Sequence, residues 1–73
     1  MSAPTERELR EAHERGDHDA LATLYARAGD AAETAGDIDA ACFFLTQAWV
    51  FAMQAGRDDA ETLRARLAAR GRA

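Results

Sequence analysis

Three short stretches of this chain echo one another at an interval of twenty residues: "GDHDA" from Gly16, "GDIDA" from Gly36 and "GRDDA" from Gly56. In each, the glycine supplies a residue able to take the left-handed conformation that ends a helix. The aspartates after it accept hydrogen bonds from the first free N–H groups of a new helix. Stop and start fall side by side, so each stretch predicts a tight turn between two helices. That rhythm leaves no room for a long loop or a second domain, and a chain of 73 residues supports a single core.

The first helix has a start signal of its own. "TERE" puts Thr5 three residues ahead of Glu8, the spacing of a reciprocal capping box, with Pro4 just outside. Asp58 and Glu61 mark the start of the last helix and Gly71 its end. The chain therefore reads as helices over about 6–15, 18–35, 38–55 and 59–70, in one domain over 5–71 with short tails at 1–4 and 72–73. Alanine is the commonest residue and β-branched residues are few, which favours helix over strand. An all-α, four-helix antiparallel array is expected, because such short connections fold successive helices back as hairpins. A competing break lies at "AGDAAE", where Gly29 and Asp30 resemble another stop-and-cap pair.

Helical spacing assigns the faces. In the second helix Leu21, Leu24, Tyr25, Ala28, Ala32 and Ala35 share a stripe, with Thr23, Arg27, Asp30 and Glu33 elsewhere. The fourth offers Ala60, Leu63 and Leu67, and the first only Leu9 and Ala12, with His13 near them. The third, "AACFFLTQAWVFAM" from Ala40, carries four of the five aromatic residues. Ile38, Ala41, Cys42, Leu45, Trp49 and Met53 form one apolar face, and Ala40, Phe44, Ala48, Phe51 and Ala55 form a second. A helix apolar nearly all round belongs in the middle, with the second and fourth helices packed on it. Phe43 and Val50 fall outside both faces, beside Gln47 and Gln54. Either the first helix folds over them or they are exposed as an interface.

The formal charge is −4, from nine basic against thirteen acidic residues, and every basic residue is arginine. That balance argues against general nucleic-acid binding. The arginines are concentrated late: residues 57–73 hold five against three acids, a pattern that suits either a solvated helix C-terminus or a contact with RNA or an acidic surface. Single Cys42 excludes an internal disulfide and sits at a buried, apolar spacing. No apolar leader opens the chain and the apolar third segment is too short to span a bilayer, so a cytoplasmic protein without membrane contact is expected.

Candidates for chemistry are few. His13 and His18 straddle the first turn near Glu14 and Asp17, but their spacing fits no standard metal-ligand pattern. The only serine is Ser2, Cys42 is far in sequence from both histidines, and the aspartates are accounted for as caps and first-turn residues. The expectation is no catalysis, no cofactor and no metal.

Residues 22–55 resemble a tetratricopeptide repeat, a thirty-four-residue helix-turn-helix unit with a sparse pattern of large and small positions. Tyr25 stands at the first large aromatic position, Gly29 at the small residue where the helices approach, Ala41 and Ala48 at the alanines of the second helix, and Leu45 between them. "AGDIDAACFFLTQA" is similar to that family's turn and second-helix opening. Ala28, Ala32 and Met53 depart from its usual leucine, tyrosine and proline. The resemblance implies a protein-protein interaction module, a small adaptor or accessory subunit, whose concave face would include Thr23, Ala26, Asp30, Glu33 and Thr34. The partner-binding candidates are thus Thr23, Asp30 and Glu33 on the second helix and Phe43 and Val50 on the third. A homodimer paired through the third helix is the second reading, and a nucleic-acid or acidic-surface contact through Arg64, Arg66 and Arg70 the third.

Overall fold

Each of the repeated glycines ends a helix in the same way. In the computed structural model, which describes residues 3–73, Gly16, Gly36, Gly56 and Gly71 all have positive φ. At each one the next N–H reaches back five residues to a helical carbonyl: Asp17 to Ala12, Asp37 to Ala32, Arg57 to Ala52 and Arg72 to Leu67. These bonds satisfy carbonyls that a helix end otherwise leaves unpaired. The helices are α1 (Glu6–Arg15), α2 (His18–Thr34), α3 (Ile38–Gln54) and α4 (Ala60–Ala69), with no strand among the described residues. Met1 and Ser2 of the expected 1–4 tail lie outside the described residues, and Ala3 and Pro4 have no regular structure. At the other end Arg72 is not a free tail residue, since its backbone closes the end of α4.

Helix starts follow the expected chemistry in three cases of four. Thr5 and Glu8 form the full capping box, and Asp17 and Asp37 accept from the N–H of Ala20 and Ala40. At the third turn the cap predicted for Asp58 does not form: α4 begins after Asp59, and no side chain caps it. The cause is in the repeat itself. Arg57 occupies the position of the capping aspartates Asp17 and Asp37, and a guanidinium has no acceptor to offer an N–H. The helix starts two residues later than the rhythm would place it.

The array is antiparallel and ordered by sequence: α1 packs on α2, α2 on α3 and α3 on α4. The core joins Ala22 of α2, Cys42, Leu45, Ala48 and Ala52 of α3, and Leu63 and Leu67 of α4. α3 is therefore central, as its composition requires, although Met53, expected on its core face, is half exposed. That residue lies at the open edge of the helix, and the smaller Ala52 takes the fully buried position beside it. α2 is continuous through Gly29. A Cβ there would sit 2.9 Å from both Cγ and Cδ2 of Leu45. Gly29 is thus a contact site for the wholly buried Leu45, not a helix stop. Beside this contact Tyr25 stacks on both Phe44 and Phe51, with centroids 6.3 and 5.8 Å away. No helix among the described residues is long and apolar enough to cross a membrane.

Gly29→Ala is expected to destabilise the fold by about 1–2 kcal/mol: overpacking Leu45 outweighs the roughly 1 kcal/mol gain in helix propensity. The check is thermal or denaturant unfolding in wild-type and Leu45→Ala backgrounds. The added methyl should cost stability in the first and be neutral or favourable in the second.

Candidate interaction surfaces

The polar face of α2 meets the arginines that follow Gly56. Arg57 lies between two helices that do not pack directly, since no Cα of α2 comes within 8 Å of one in α4. Its Nη1 donates to the Asp19 carbonyl at 2.7 Å, to Asp19 Oδ1 at 2.9 Å and to Thr23 Oγ1 at 2.6 Å. Its Nε and Nη2 donate to the two carboxylate oxygens of Asp59 at 3.0 and 2.7 Å. The Asp59 hydrogen bonds raise the pKa of Arg57 despite partial burial, so the clasp stays charged. One turn or more further along, Arg66 Nη2 bridges Asp30 Oδ1 and Glu33 Oε1, each at 2.7 Å, and Arg70 adds a longer bond of 3.4 Å to Glu33.

Thr23, Asp30 and Glu33, the candidates on the second helix, are all engaged within the chain, by Arg57 and Arg66. The late cluster of arginines is likewise engaged. Arg64 binds Glu61 of its own helix, and Arg72 binds Asp39 at 2.8 Å. What looks in sequence like an acidic half and a basic end is, in three dimensions, a set of ion pairs.

A cleft of about 450 Å³ between α1 and α2 is rimmed by Glu8, Glu11, Asp17 and Asp19, with Arg15. These carboxylates also have partners. Glu8 closes the capping box, Glu11 lies 3.7 Å from Arg7, Asp17 caps α2 and Asp19 meets Arg57.

The other predicted pair, Phe43 and Val50, lies apart from this face, on the outer side of α3. Phe43 is 59% exposed and Val50 37%, with Met53 at 50% beside them. The first helix does not cover them. It packs on α2, with Ala12 wholly buried, and its His13 ring meets α3 at Phe51. A shallow, open depression of about 320 Å³ adjoins Phe43, between Thr46, Gln47 and the Asp39–Arg72 pair. Cys42, beneath it, is 3% exposed, in keeping with a small buried apolar residue.

The histidines hold a role that sequence reading missed. His13 Nε2 lies 3.0 Å from the Tyr25 hydroxyl, and the rings of His13 and His18 both pack against Phe51, at 5.8 and 5.6 Å. They fasten the first turn to the aromatic stack. The signal was present for His13, one turn after Leu9 on the narrow apolar stripe of α1. For His18 there was none, because its contact depends on where α3 lies. No three His, Cys, Asp or Glu side chains among the described residues gather where a metal ion could be held.

No protein-family model, curated protein or solved structure matches the chain.

Arg57→Ala and Arg66→Ala are each expected to cost about 1 kcal/mol, because their carboxylate partners are partly solvated. Both losses should shrink in molar salt, which screens the wild-type pairs. Denaturant unfolding at low and high salt measures this; equal losses at both would contradict the electrostatic account.

Proposed function

We propose that this chain is a non-catalytic protein-protein interaction module, built on a tetratricopeptide-like helix pair, whose docking surface is the outer face of α3. The observation that carries the reading is the exposure of Phe43, Val50 and Met53 on a face that no other helix covers. Large apolar residues grouped on an exposed face mark interfaces more often than isolated ones do. The partner suited to it is an uncharged amphipathic helical surface, since α3 between Ala40 and Gln54 contains no acidic or basic residue.

The repeat-like reading draws support from the contact between Gly29 and Leu45, two positions that carry the resemblance, and from the flanking alanines Ala41 and Ala48, both buried. The polar face of α2 is less suited to docking, because a partner there must displace Arg57 and Arg66. A phosphate at the C-terminal helix faces the same obstacle from Glu61, Asp30 and Glu33. A cytoplasmic location is part of this proposal, and the single buried thiol of Cys42 is compatible with it.

Site-specific photo-cross-linking in cells expressing the chain tests the choice of face. A benzophenone side chain at Gln47 is expected to yield a discrete adduct that Phe43→Glu abolishes, whereas the same group at Glu33 or Arg64 yields none. Adducts from Glu33 or Arg64 without one from Gln47, or no adduct from Gln47 at all, would overturn the proposal. Retention on heparin that depends on Arg64, Arg66 and Arg70 would instead favour the anionic-surface reading; the expected result is elution at low salt.

A further inference from the structure

The outer face of α3 is suited to one occupant in particular. Phe43 and Val50 are seven residues apart, so they lie almost in line along the helix, two turns from each other. Gln47 falls between them and Gln54 one turn beyond. The side chains of Gln47 and Gln54 form no hydrogen bond with any described residue, so their amides are free to donate and accept.

We infer that a second copy of this chain occupies the face, with the two α3 helices antiparallel about a two-fold axis near Gln47; this rests on the reading of α3 as the docking surface. In that register Phe43 of each copy faces Val50 of the other, an aromatic against a β-branched side chain at both ends of the contact. The two Gln47 amides meet near the axis and bond reciprocally. Asp39 of one copy comes opposite Gln54 of the other, a carboxylate acceptor facing an amide donor. The stripe is complementary to its own reverse, which is what a two-fold contact demands.

Charge singles out the same arrangement. Each molecule carries −4, and the faces of α1, α2 and α4 display carboxylates and guanidinium groups. Two copies approach with least like-charge opposition through the one helix whose exposed face is neutral. The carboxylate within α3 that adjoins this stripe, Asp39, is already paired with Arg72.

Area sets the strength. The exposed parts of Phe43, Val50 and Met53 amount to roughly 300 Å², the size of an ordinary monomer's largest apolar patch. Pairing two four-turn helices over it buries on the order of 1,000 Å² in total, at the lower edge of specific interfaces. Such a contact implies a reversible dimer with a dissociation constant on the order of 10–100 μM.

Sedimentation equilibrium on the purified chain, from about 5 μM to about 1 mM to bracket that constant, tests the inference. The expected result is a mass rising from 7.9 kDa toward twice that value. Phe43→Glu and Val50→Glu should each weaken association at least about tenfold while leaving the helical circular dichroism unchanged, as exposed positions allow. Register has its own test: Phe43→Lys mixed with Val50→Glu should form a heterodimer stronger than either variant alone, and Gln47→Cys should oxidise to a cross-linked dimer. A chain monomeric at every concentration overturns the inference, as does a dimer indifferent to Phe43→Glu and Val50→Glu, or one in which the Lys and Glu variants do not complement. A monomer whose Gln47 cross-link still gives an adduct of another mass would end the second-copy assignment and leave the α3 docking surface standing.

Discussion

Leu45 lying against Gly29 is the contact on which the rest of this molecule depends. It brings α2 and α3 close enough that no side chain fits between the glycine and the leucine. The closeness leaves alanines to fill much of the surrounding core: Ala22, Ala28, Ala41, Ala48 and Ala52 are all buried. A core built from such small residues stays dense only if the backbones are near one another. From this hairpin the other elements take their places. Tyr25 stacks between Phe44 and Phe51 at one side, α1 and the two histidines close over that stack, and α4 adds Leu63 and Leu67 at the other side.

The departure of the third turn from its repeat shapes the surface. Asp17 and Asp37 cap helices, whereas Arg57, at the same place in the rhythm, cannot. The local cost is an uncapped, later start for α4. In exchange the guanidinium reaches a carbonyl, a carboxylate and a hydroxyl on α2, tying together two helices that have no direct backbone packing. Arg66 repeats the bridge nearer the other end of α2. The carboxylates that in isolation would make an acidic groove are thereby neutralised. This is the ground on which the proposed docking surface is the neutral outer side of α3 and not the face of α2.

Much of the architecture could be read from the sequence, whereas the surroundings of the residues singled out for partner binding could be read only in part. Helix ends at Gly16, Gly36, Gly56 and Gly71, and the capping box of Thr5 and Glu8, were legible because their hydrogen bonds close within five residues. The central place of α3 was legible from its lack of a polar side. The engagement of Asp30 and Glu33 by Arg66 was not, since those partners stand 36 and 33 residues apart. Nor was the seat of α1: its few apolar residues suit either α2 or the outer face of α3. The exposure of Met53 escaped for a similar reason, since a residue at the edge of an apolar stripe is covered or bare according to the angle of its neighbours.

The sequence by itself thus determined the helical class, the helix ends at the four glycines, the starts of the first three helices and which helix must be central, because those features rest on local backbone hydrogen bonds and on the apolar content of single segments; that α2 runs on through Gly29 and that α4 starts late and uncapped were not among them. Only the tertiary structure decided which charges meet, which histidines pack on the aromatic stack, and that Phe43 and Val50 stay uncovered. Those outcomes depend on how rigid helices lie against one another, and that in turn is set by contacts such as Leu45 on Gly29 between residues far apart in the chain.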